Sequence, residues 1–82
     1  MKANFRMKKP KKMNREYPEW GNLIDWLVYS IYLYAIEYGE ADERVARCIM
    51  EADYRFYMQD LKDFNKAFTE AVAICRNNEL II

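Results

Sequence analysis

The chain has 82 residues, 52% hydrophobic and 16% aromatic, with no histidine, two cysteines, two glycines and a formal net charge of zero. That length holds one small domain, which buries only about 60% of its unfolded surface, and so high an apolar content excludes disorder of the whole chain. Without histidine the commonest general base and zinc ligand are missing, and two glycines cannot build a phosphate-cradling loop. The chain therefore reads as a non-enzyme with no catalytic residue, cofactor or metal site.

The zero net charge hides a separation. Residues 1–15 contain seven basic residues (Lys2, Arg6, Lys8, Lys9, Lys11, Lys12 and Arg15) and no acid, while residues 16–82 hold all thirteen acids and the other six bases. A +7 arm is joined to a −7 body, and fields of opposite sign steer different ligands. The arm has Pro10 and no sustained periodicity, so it is expected to be a disordered, flexible basic tail ahead of one helical domain at 16–82.

Pro18 marks the start of the first element, since proline is favoured in the first turn of a helix. Over 18–38, Trp20, Leu23, Ile24, Leu27, Val28, Ile31, Tyr34, Ala35 and Tyr38 share one arc at helical spacing. Gly39 stands where a glycine with positive φ ends a helix. The aromatic and β-branched content would also suit strands, but no turn signal falls inside the run to make a hairpin. This most apolar segment carries Asp25 and Glu37, which argues against a membrane span.

The second helix is expected over 42–58, with Asp42 as N-cap and Val45, Ile49, Ala52 and Phe56 as its apolar stripe. Glu40–Arg44, Glu43–Arg47 and Glu51–Arg55 are i, i+4 pairs in the favoured order. A third helix over 60–77 follows from a second stripe through Tyr57, Leu61, Phe64, Phe68, Ala71 or Val72, and Cys75, out of phase with the first, which places a break near Met58–Asp60 with Asp60 as the cap. A competing pattern, Met50, Tyr54, Tyr57, Leu61, Phe64, Phe68, Ala71 and Cys75, would suit one long helix over 42–77. Asn77–Asn78 ends the last helix, leaving Leu80–Ile82 as a docked apolar tail or a frayed end. The expected fold is all-α, a compact three-helix bundle.

Cys48 and Cys75 lie far apart with no CxxC, and no secretory apolar stretch follows the basic N-terminus. Both are expected to be reduced, buried small hydrophobes in a cytoplasmic protein.

Two features point outward. Lys8, Lys9, Lys11, Lys12 and Arg15 could neutralise phosphates and release counterions, giving salt-sensitive binding to nucleic acid; the bland alternative is a solubilising tail. Aromatic residues for stacking are sparse there, with Phe5 alone. Opposite the core arc of the first helix lie Trp26, Tyr29, Tyr32, Leu33 and Ile36, with Asp25 and Glu37 beside them. Interface cores are enriched in Trp and Tyr, so this face is expected to meet a protein partner or a second copy, unless the other helices bury it.

Abundant Lys, Asn, Ile, Tyr and Phe with scarce Gly and Pro match the usage of an AT-rich genome, and with the small size fit a phage or mobile-element protein. The leading expectation is a small non-catalytic protein that inhibits or modulates a larger macromolecular machine, an anti-CRISPR-like inhibitor of host defence being one instance. The alternative is a small DNA- or RNA-binding regulator using the basic arm.

Overall fold

The computed structural model describes residues 6–82; Lys2, Asn4 and Phe5 of the expected arm lie outside the described residues. Three helices follow in chain order: α1 at Trp20–Tyr38, α2 at Glu43–Met58 and α3 at Phe64–Asn77. Each packs against the other two. Among the described residues the only extended pairing is an isolated parallel bridge between Ala41 and Ile81. The three-helix all-α fold expected from periodicity is the fold observed. No helix is long and apolar enough to cross a membrane.

α1 starts two residues later than expected. Pro18 precedes the extended N-cap residue Glu19 (φ −94°, ψ 132°), whose carbonyl accepts from the Leu23 amide at 2.9 Å. No side chain caps this end. Its first turn is tied to α3 instead, the Trp20 indole Nε1 donating to Glu70 Oε2 at 2.6 Å while the Lys66 ammonium lies 5.2 Å from the Trp20 ring centre. At the other end Gly39 takes φ 91° and donates to the Ala35 carbonyl at 2.9 Å, a conformation that a Cβ would strain. The buried arc is wider than the sequence pattern proposed. It holds Leu23, Ile24, Leu27, Val28, Ile31 and Ala35, and also Asn22 and Tyr32. Tyr38 is 71% exposed, because it lies on the last turn of the helix.

In α2 the Asp42 cap is as expected, its carboxylate accepting from the Val45 amide at 2.8 Å. The stripe differs. Ala46, Met50 and Tyr54 are buried, whereas Val45 and Ile49 are only partly buried, Ala52 is exposed and Phe56 is 56% exposed. The reason is Tyr54. Its ring meets Phe64 edge-on at 5.4 Å and its hydroxyl donates to the Lys62 carbonyl, so burying it also closes the connection to α3 and sets the rotation of α2. Of the long-helix pattern, Met50, Tyr54, Phe64, Phe68, Ala71 and Cys75 are buried, on two helices, whereas Tyr57 is only partly buried and Leu61 in the connection is exposed. Gln59 and Asp63 both adopt left-handed backbone (φ 65° and 63°) and turn the chain between them. Asp60 does not cap α3: its Oδ1 accepts from the Lys62 amide at 2.9 Å, an Asx turn inside the connection.

Charges follow tertiary geometry more than helical spacing. Glu43 pairs with Arg76 of α3 at 2.6 Å, and Arg47 donates to Asn65 Oδ1 at 2.8 Å while lying over the Phe64 and Phe68 rings. Both cysteines are free. Cys75 sits in the core, where burial pushes its thiol up to about 12, whereas Cys48, expected inside, is exposed.

The chain end is docked. Glu79 takes φ 59°, its amide reaching the Arg76 carbonyl at 3.1 Å, and the Leu80 amide reaches Cys75 at 2.9 Å. These two bonds make a Schellman ending without glycine. Leu80 is fully buried, and the 80–82 backbone pairs with Ala41 on both sides (3.0 and 2.9 Å). Leu80→Ala is expected to cost about 2–5 kcal/mol by cavity formation, a large part of the roughly 4–12 kcal/mol a domain of this size holds. Ile82→Ala, at a residue 77% exposed, should stay within about 0.5 kcal/mol. Denaturant melts of the two variants read the difference; equal losses would mean that the tail is not seated.

Candidate functional site

The described part of the basic arm is not a free tail, and this corrects the expectation of disorder there. Its anchors are apolar: Met13 is 5% exposed within the core, and Met7 packs at its edge. Between them the backbone is held by α1. Trp26 Nε1 donates to the Lys11 carbonyl at 2.9 Å, and Asn22 Nδ2 reaches towards the Lys12 carbonyl at 3.5 Å. Asn14 Oδ1 then accepts from the Glu16 and Tyr17 amides at 3.0 and 3.3 Å, turning the chain towards α1. With the carbonyls of Lys11 and Lys12 engaged by α1, their side chains remain exposed.

Arg15 ties the arm to α2. It donates to the Phe56 carbonyl at 3.0 Å and its guanidinium lies 4.2 Å from the Phe56 ring centre. Phe56 lies in the last turn of α2, where carbonyls lack helical partners and the helix dipole favours a cation. Lys11 lies 3.8 Å from Glu19 with both side chains exposed, an arrangement worth about 0–1 kcal/mol. Among the described residues no carboxylate is paired with Lys9 or Lys12.

Arm and helices form a half-open pocket of about 440 Å³, lined by Lys9, Pro10, Lys12, Met13 and Arg15 from the arm, Trp26 from α1 and Phe56 and Tyr57 from α2. The aromatic rings are in mutual contact: Trp26 and Tyr57 centres are 6.1 Å apart at 37°, and Phe56 and Tyr57 are edge-on at 5.1 Å. Beside them Ser30 of α1 donates to Asp53 of α2. Burial pushes the Asp53 carboxyl above its ordinary range, the Ser30 bond opposing. Burial also raises the Tyr57 phenol, helped by the Asp53 charge and opposed by Arg15.

The residues singled out in the sequence are thus redistributed. Lys9, Lys12 and Arg15 line the cavity, while Lys8 and Lys11 are exposed along the arm outside it. Of the α1 face, Trp26 joins the basic residues, Tyr29 packs edge-on against it at 5.8 Å, and Tyr32 is buried. Leu33 and Ile36 are exposed, at 48% and 55%, with Asp25 and Glu37 exposed as well. Phe56, Tyr57 and Met13 were missed as site residues. Phe56 falls out of phase with the buried line Ala46, Met50 and Tyr54, and no periodic signal in the sequence chooses between the two lines. Among the described residues no group of three or more His, Cys, Asp or Glu side chains is placed to hold a metal ion.

Met13→Ala is expected to cost about 2–5 kcal/mol and to speed tryptic cleavage at Lys8–Lys12; unchanged cleavage would show that Met13 does not hold the arm. Asp53 gives a pH prediction. Its raised folded pKa means that the fold favours the protonated acid, so its contribution is fully present below the ordinary value of 3.8 and is lost as pH rises through the folded value. The melting temperature of Asp53→Asn, which keeps an acceptor for Ser30, should therefore gain on that of the parent as pH rises from 4 to 7; parallel profiles would refute the assignment. No protein-family model, curated protein or solved structure matches this chain.

Proposed function

We propose that this chain is a small non-catalytic binding protein that takes a nucleic acid on its basic arm. The observation that carries the reading is that the docked arm holds Lys9, Lys12 and Arg15 beside Trp26, Phe56 and Tyr57. A disordered lysine tail must lose conformational freedom on binding. An arm already tied down by Met13, Trp26 and Arg15 has lost much of that freedom on folding, so its cations meet a polyanion preorganised. The free thiols Cys48 and Cys75 are in keeping with work in a reducing compartment such as the cytoplasm.

A second reading, a modulator that docks on a larger machine as anti-CRISPR-like inhibitors do, is favoured by a different observation. Leu33 and Ile36 remain exposed on α1 near the acid Glu37, a surface for a protein partner or a second copy of the chain. It is the weaker of the two, because Trp26, Tyr29 and Tyr32 of the same helix are engaged in packing.

Oligonucleotide binding by fluorescence anisotropy tests the first reading. Affinity is expected to fall with salt, with a slope of log K against log salt of roughly −2 to −3 for three contacted phosphates, and to be lost in Lys8→Ala/Lys9→Ala/Lys12→Ala. Leu33→Glu/Ile36→Glu should leave it unchanged while abolishing any protein partner or self-association seen by sedimentation. Absence of oligonucleotide binding at low salt would remove the first reading.

A further inference from the structure

The cavity holds more than cations, and this deepens the nucleic-acid reading on which it rests. We propose that the space between the arm and the α1–α2 pair is a base-stacking subsite, so that the ligand is single-stranded nucleic acid with an unpaired base seated against Trp26 and Tyr57 and its phosphates on Lys9 and Lys12. Three observations combine. The volume, about 440 Å³, falls within the range of roughly 300–1,000 Å³ typical of sites for small ligands. Half-buried aromatic rings and two lysines paired with no carboxylate among the described residues line the same space, matching a ligand that is planar and anionic at once. Arg15 supplies a further plane: its guanidinium is already on the Phe56 ring at 4.2 Å, and such planes carry unstacked bases as aromatic side chains do.

The ring geometry restricts the pose. A ring sandwiched between two others needs about 7 Å between their centres. Trp26 and Tyr57 are 6.1 Å apart and tilted by 37°, so the base lies across the open side of the pair. A duplex keeps its bases stacked within the helix and cannot make this contact. An acidic peptide satisfies the lysines and leaves the rings without a planar partner.

The test uses the full chain and three labelled probes of one length: an oligothymidylate, its abasic counterpart carrying the same phosphates, and a duplex. An oligouridylate arm separates RNA from DNA as the source, and polyglutamate stands for an acidic protein. The oligothymidylate is expected to bind roughly 5- to 150-fold tighter than the abasic strand, the value of one stacked base, and tighter than the duplex. It should also quench Trp26 fluorescence in a Trp20→Phe background, where Trp26 is the only tryptophan. Tyr57→Leu should erase the preference over the abasic strand and leave abasic affinity intact. The comparison of probes on the parent protein stands even if that variant folds poorly.

Equal, salt-dependent binding of oligothymidylate and abasic strand would overturn the stacking subsite and leave the arm reading in place. Tighter binding of duplex or polyglutamate would overturn it too. No binding of any probe at low salt would overturn both.

Discussion

A helix that is apolar around most of its circumference has to be covered on more than two sides, and in this protein everything else is arranged around that need. α1 buries eight of its nineteen residues. Two neighbouring helices leave part of such a helix uncovered. The docked arm covers a further strip, with Met13 filling the core and Trp26 held at the edge by the Lys11 carbonyl. A small domain buries a limited fraction of its surface, so recruiting an arm that looks soluble adds core where the bundle has none to spare.

The elements were largely legible in the sequence and their rotations were not. Asp42 and Gly39 marked the ends of α2 and α1 because capping and positive φ depend on local chemistry that a few residues carry. The stripe of α2 was misplaced because two apolar lines, one through Phe56 and one through Tyr54, compete on that helix. The winner is decided by the Tyr54 hydroxyl finding the Lys62 carbonyl, a tertiary contact with no periodic signature. The break after residue 58 was legible as the change of phase between the two stripes, but the form of the turn at 59–63 was not. It uses left-handed Gln59 and Asp63 where glycine would have announced it.

The candidate site was half legible. Its lysines stood out as a charge run, and Trp26 stood out as an aromatic on the wrong face of α1. What joined them could not be read from either pattern: Met13, one apolar residue among cations, and Phe56 and Tyr57 forty residues further on. The arm looked unstructured because it has no period, yet an extended segment held by side chains of a neighbouring helix needs none. The zero net charge is then the sum of two surfaces that are in contact, and several acids of the body have local structural roles, Asp42 in a cap, Asp60 in a turn and Glu43 in an ion pair.

Arg15 joins these themes. One side chain holds the arm, satisfies a carbonyl at the end of α2 and stacks on Phe56. A ligand that competes for its guanidinium draws on the same free energy that secures the last turn of that helix. For such a ligand, binding and order at residues 56–58 would be thermodynamically linked, each shifting the other by the same free energy.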